Sequence, residues 1–205
     1  MSLETTLARI ELLRGALAPR AATATATATA AGGDGFRAQL LGAGEATGVP
    51  FPVAAPPAGS GPAAAEAAAA GEVGQAEQPP GSNDSPRIAT YRQATAGSGV
   101  GPWCAYFVSW AARQAGVPLG EAGQGFGSVD ALYAWAQRTG RATPAGPGVT
   151  PGAGDLIVFN EHVGIVEGVD PDGTIHTIEG NSSDAVSRRT YPPGGGGALG
   201  YVRLG

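Results

Sequence analysis

Residues 19 to 62 set the first limit on this chain. The segment holds an alternating Ala-Thr run from Ala22 to Ala30, glycine-rich pieces around Gly32 to Gly35, prolines at 50, 52, 56, 57 and 62, and few charges. Such a stretch cannot bury enough apolar surface to offset the conformational entropy lost on ordering, so it reads as a disordered linker. A packed core must therefore come from the flanks. Ahead of the linker, Leu3, Leu7, Ile10, Leu13 and Leu17 recur at three- and four-residue steps, the pattern of a short amphipathic helix over residues 1–18 that docks on a partner surface. Phe36, Leu40 and Leu41 read as a second small docking patch. Residues 63–205 are left as the folded domain.

Within that domain the pattern changes from helical to extended. An Ala-rich helix is expected over 63–77. A second follows over 86–96, with Ser85 as N-cap and Pro86 at the first helical position. A third runs over 103–115 and stops at Gly116, and Ser128 caps a fourth that carries Val129, Leu132, Tyr133 and Trp135. After Gly154, apolar β-branched runs predict strands at 155–159, 163–169, 174–179, 185–191 and 199–203. Helices first and an antiparallel sheet after make an α+β fold. The Gly/Pro-rich loops 118–127, 140–153 and 192–198 are left as candidate pocket walls.

The third helix begins with the only cysteine of the chain, in Pro102-Trp103-Cys104-Ala105-Tyr106-Phe107-Val108-Ser109-Trp110. Unpaired backbone N–H groups and the positive end of the helix macrodipole favour a thiolate at such a place, and the thiolate is the form that attacks a carbonyl carbon. A lone buried cysteine is more often a small hydrophobe, so partners decide. A cysteine hydrolase needs a histidine to take and return the proton and a polar group to orient it. His162 opens a strand after a short polar turn at Asn160 and Glu161. The strand ending in Glu179-Gly180-Asn181 carries two polar residues two apart, which share a face in an extended chain and both point at one imidazole. His176 lies three residues before Glu179 and faces the other way, so the alternation favours His162. Phe107 and Trp110 recur at helical spacing and read as core, whereas Trp103, beside Cys104, is a candidate for lining the substrate groove.

These residues, taken in order, resemble the CHAP family of cysteine- and histidine-dependent amidohydrolases and peptidases, related to NlpC-type enzymes and more distantly to papain. The pieces are Ala70-Gly71-Glu72-Val73-Gly74-Gln75-Ala76-Glu77 followed by Gly81-Ser82-Asn83, then Trp103-Cys104-Ala105-Tyr106-Phe107-Val108, then Gly154-Asp155 with His162-Val163-Gly164-Ile165-Val166, then Glu179-Gly180-Asn181. The resemblance implies a papain-like arrangement, with the cysteine helix packed on the sheet that carries the histidine. It implies an active site of Cys104 as nucleophile, His162 as general base and then acid, Glu179 holding the ring, and Asn181 adding a hydrogen bond or lining the groove. It also implies peptidoglycan peptides as substrate, cleaved at an amide bond through a thioester acyl-enzyme. Two other readings stand beside it: an inactive wall-binding or scaffold module, and a cysteine hydrolase of a non-wall amide. Glu72, Glu77 and Asn83 match the family pattern, but surface charge and loop capping explain them equally.

No cofactor is expected, and no metal, because the two histidines lack helical His-x-x-x-His spacing. A net charge of −5 without any lysine- or arginine-rich run argues against nucleic acid. No apolar run approaches the ~20 residues that span a bilayer, and Glu4, Arg9, Glu11 and Arg14 interrupt what a Sec-type signal peptide keeps hydrophobic. The expectation is a protein made in the cytoplasm that acts at the cell wall after non-Sec export or lysis, as a flagellum-associated hydrolase or an endolysin. Helix 2–18 would then meet flagellar or export machinery.

Overall fold

The structure, a computed structural model, describes residues 59–205. The expected docking helix, the patch at Phe36, Leu40 and Leu41, and the expected linker up to residue 58 lie outside the described residues. Among the described residues four helices come first: α1 (Pro62–Ala70), α2 (Pro86–Arg92), α3 (Cys104–Gln114) and α4 (Val129–Arg138). Six strands follow: β1 (Ala142–Pro144), β2 (Leu156–Phe159), β3 (His162–Val169), β4 (Ile175–Glu179), β5 (Ser187–Tyr191) and β6 (Gly200–Val202). They form one sheet in the order β1-β6-β2-β3-β4-β5, antiparallel at every pairing. This is the α+β class, consistent with a papain-like arrangement.

The sequence explains most of these elements. Ser85 caps α2, its hydroxyl accepting the Ile88 N–H, and Ser128 caps α4 through the Ala131 N–H; each satisfies a first-turn donor that would otherwise be unpaired. α2 stops at Arg92 rather than 96, because Arg113 of α3 donates to the carbonyls of Gln93 and Ala94 and so satisfies groups that a longer helix would have used. α1 likewise ends at Ala70 rather than 77. Its C-cap is Gly71, and the chain then turns so that the Glu72 carboxylate meets Arg87 and the Tyr91 hydroxyl in the interior. β5 begins at 187 rather than 185. β1 lies within the expected loop 140–153.

The two faces of the sheet carry different cores. On the helical side, α3 packs on β3 and β4 and touches α1 and α2. Its Phe107, Val108 and Ala111 are buried with Leu156, Val158, Val163, Ile165 and Ile178. Phe107 and Trp110 belong to this core as expected, stacked on one another with Tyr91 against both rings. On the other face, Ile157, Val166, Ile175 and Tyr201 form a smaller cluster under Val149, Phe159, Tyr191 and Ala198. Strand alternation sorts the residues: Val163 and Ile165 face the helices, so His162 and Gly164 face away.

Candidate active site

Cys104 is the first residue of α3 and is nearly buried, at 3 % exposure. Trp103 at the N-cap offers the first-turn N–H groups no side-chain acceptor, which leaves donors of that turn facing the thiol end of the helix. The Cys104 thiol donates to the Glu161 carbonyl, with Sγ 3.9 Å from the oxygen. That carbonyl is aimed by backbone geometry. Phe159 pairs with His162 across a two-residue turn, and Glu161 occupies the left-handed region at φ 61°, a conformation costly for a residue with a Cβ and concentrated at functional sites.

His162 follows immediately. Its ring interacts with Cys104, which favours the protonated imidazole, and its Nε2–H donates to Glu179 Oε2 at 2.7 Å. With Nε2 engaged, Nδ1 is the ring nitrogen left for Cys104. Burial of the imidazole disfavours its charged form, but its interactions with Cys104 and Glu179 outweigh that and push its pKa from 6.5 up to about 9. At neutral pH the ring holds its second proton.

Glu179 ends β4, with a side chain only 2 % exposed. Burial opposes its ionisation, yet hydrogen bonds from His162, Thr177 and Tyr191 hold its pKa below the ordinary 4.5. The contacts divide between the oxygens: Oε2 takes the imidazole, while Oε1 accepts from the Thr177 hydroxyl at 2.7 Å and the Tyr191 hydroxyl at 2.8 Å. Gly164 makes room for it. A Cβ at that position would lie 2.7 Å from Glu179 Cγ, so only glycine lets the carboxylate cross β3 to the imidazole.

Asn181 and Trp103 stand differently from expectation. β4 ends at Glu179, and Asn181 lies beyond it in the left-handed region at φ 57°, so the two-residue alternation no longer decides where its side chain goes. In the amide orientation that satisfies both neighbours, Asn181 accepts from the Trp103 N–H at 3.3 Å and donates to Glu77 Oε1 at 3.2 Å. It therefore fastens the start of α3 to the end of β4 and does not touch the imidazole. Trp103 is wholly buried, at 0 % exposure, with its indole N–H donating to Glu77 Oε1 at 2.9 Å; a ring without exposed surface lines no groove. Glu77 gathers the assembly, its second oxygen accepting the Asn83 N–H at 2.7 Å. Glu72 serves α2 instead, through Arg87 and Tyr91.

Sequence reasoning missed Thr177 and Tyr191. Thr177 was within reach, since it shares the face of Glu179 two residues away. Tyr191 was not, because only the β4–β5 register, with Tyr191 opposite Ile175, brings its ring alongside. His176, set aside by the alternation argument, pairs with Asp170 at 2.8 Å on the exposed edge. The loops 140–153 and 192–198 do wall a cavity of about 450 Å³, but its lining includes Ile175, at the far end of β4 from Glu179, and none of Cys104, His162, Glu179 or Asn181. Among the described residues, no group of three or more His, Cys, Asp or Glu is placed to hold a metal ion, and no helix is long and apolar enough to cross a membrane.

A thiol at a helix start, acting on an imidazole that is fixed by a buried carboxylate, is the arrangement a cysteine hydrolase requires. Comparison with protein families bears on the same segment: residues 95–181, which hold the thiol, the imidazole and the carboxylate, match the family model of the CHAP domain. By that match, residues 95–181 are a CHAP domain. This implies a cysteine- and histidine-dependent amidohydrolase or peptidase. No curated protein matches the chain.

Proposed function

We propose that this CHAP protein is a peptidoglycan hydrolase that cleaves an amide bond of the stem or cross-bridge peptide. The observation that carries the reading is the hydrogen bond of His162 to the buried Glu179, with Cys104 at the start of α3 acting on the same imidazole. The proton of Cys104 resides on His162 in the charged pair, and Cys104 attacks the amide carbonyl as thiolate. The oxyanion that develops lies at the start of α3, where first-turn N–H groups and the helix dipole favour negative charge. His162 then donates its proton to the leaving amine, the C–N bond breaks, and a thioester remains on Cys104. Water, deprotonated by the same imidazole, attacks the thioester and regenerates the thiol. Glu179 keeps the ring oriented and supports the imidazolium throughout.

The intact set of Cys104, His162 and Glu179, with the imidazole held by the carboxylate, favours this over an inactive scaffold with the same fold. Cys104→Ala should abolish clearing of a cell-wall suspension while the variant still folds, as circular dichroism reads it; undiminished clearing by the variant rules the mechanism out. Mass spectrometry of the digested wall identifies the bond from the new amino ends. A protein that labels at Cys104 but releases no wall fragments is a hydrolase of another amide.

A further inference from the structure

We infer that Tyr191, acting together with Thr177, is a positioning residue of the active site: the two hydroxyls hold one oxygen of Glu179 so that the other is presented to His162. The inference rests on the cysteine-hydrolase reading and adds a residue from β5, an element outside the matched segment 95–181.

A carboxylate has two oxygens and a free rotation about its terminal bond, so a single bond to the imidazole leaves its orientation poorly fixed. Here Oε1 accepts two neutral donors, Thr177 Oγ1–H at 2.7 Å and Tyr191 O–H at 2.8 Å, while Oε2 faces His162 Nε2 at 2.7 Å. The donors come from different strands, β4 and β5, and therefore fix both tilt and rotation. The phenol ring of Tyr191 is itself held against Phe159, with ring centroids 4.8 Å apart, and Phe159 lies 6.4 Å from the His162 ring. One apolar contact thus orients the donor, and the donor orients the carboxylate.

Neutral donors suit this role. A cation at Oε1 would compete with the imidazolium for the negative charge, whereas hydroxyls orient the carboxylate and leave its charge available to His162. The phenol stays protonated: burial, then the Glu179 carboxylate, pushes its pKa well above the ordinary 10, with Arg189 pulling the other way. The charged or titratable groups that bear on Glu179 are thus His162 from β3 and Tyr191 from β5. Cys104 of α3 acts through His162, and Arg189 acts through Tyr191.

Tyr191→Phe keeps the ring on Phe159 and removes only the hydroxyl. Two readouts separate positioning from simple packing: rates of Cys104 alkylation by iodoacetamide as a function of pH, and kcat and KM on soluble wall peptides. Tyr191→Phe should lower kcat about tenfold with KM unchanged, the scale of one hydrogen bond to a charged group. The acid limb of alkylation should move to higher pH, because a Glu179 with fewer donors protonates more readily. The imidazole resonances of His162 should report that protonation at the higher pH, while those of His176 stay as an internal reference. Thr177→Val should act in the same direction, and should decide the matter if Tyr191→Phe does not fold. A folded Tyr191→Phe or Thr177→Val with parental kcat and parental acid limb overturns the inference, as does a loss confined to KM, which would mark a substrate contact. If His162→Ala alkylates at Cys104 with the pH profile of the parent, the hydrolase reading itself falls and this inference with it.

Discussion

At the scale of the residue, the site depends on keeping a buried carboxylate and a half-buried imidazole charged against the cost of desolvation. Glu179 and His162 do this for one another across 2.7 Å, and the pair gains from being poorly solvated, since opposite charges attract more strongly in a low-dielectric setting. Removing the charge of Glu179 without changing its shape isolates this effect. Glu179→Gln should lower kcat by up to about 10⁴-fold, the loss that follows when the orienting carboxylate of a hydrolytic triad becomes an amide. The pH dependence should change as well. His162 holds its proton up to about pH 9 partly through its hydrogen bond to Glu179, so hydrolysis by the parent should persist through neutral pH and fall as pH rises past about 9. In Glu179→Gln that alkaline limb should move down toward the ordinary 6.5. A kcat/KM profile with an unmoved alkaline limb would show that the carboxylate does not support the imidazolium.

At the scale of the element, Glu179-Gly180-Asn181 does three jobs in succession: it orients the imidazole, admits the helix, and clasps the helix start. Gly180 is the close approach, since a Cβ there would lie 2.6 Å from Phe107 Cβ and 2.8 Å from Trp103 Cζ3. Gly180→Ala must push α3 away from β4, and should cost about 1–3 kcal/mol in denaturant unfolding as an overpacked core does. Gly168→Ala is the control, because a Cβ there meets nothing within 4 Å, and its cost should stay within about 0.5 kcal/mol. Equal costs would remove the close-packing argument. Residues whose role follows from local pattern were legible: the serine caps, the β-branched strands, the cysteine at a helix start, and the alternation that chose His162 over His176. What depends on pairing was not. Ala142-Thr143-Pro144 has no apolar alternation to announce a strand, and becomes β1 only because β6 pairs with it. Asn181 bonds to Trp103 and Glu77 because the strand alternation stops at Glu179, and Trp103 has the thiol as its neighbour in sequence but Glu77 as its neighbour in space. Tyr191 needed a register that the chain does not display locally.

At the scale of the whole molecule, the charged pair ties the stability of the domain to pH from both sides. His162 has a folded pKa of about 9 against an ordinary 6.5, so the folded state binds its proton more tightly than the unfolded chain does. The resulting stability is fully present below pH 6.5 and is lost as pH rises through about 9; a shift of that size is worth on the order of 3 kcal/mol. Glu179 acts in the opposite sense. Its folded pKa lies below the ordinary 4.5, so its contribution is fully present above pH 4.5 and is lost as pH falls through the lowered value. Both contributions coexist in full only between about pH 4.5 and 6.5, and the melting temperature should peak in that window and decline toward pH 9.5. Cys104→Ala tests the cause of the alkaline decline. Cys104 is the foremost of the two partners that raise the pKa of His162, so the variant should lose less stability between pH 6.5 and 9.5 than the parent, even if it is less stable at pH 6. Because an ordinary histidine would have finished titrating by about pH 7.5, one unit above its reference value, the decline should continue beyond that point. A parent whose melting temperature is flat from pH 7.5 to 9.5 would mean that the imidazole is not held charged by its neighbours, and a variant that declines as steeply as the parent would mean that the thiol is not what holds it.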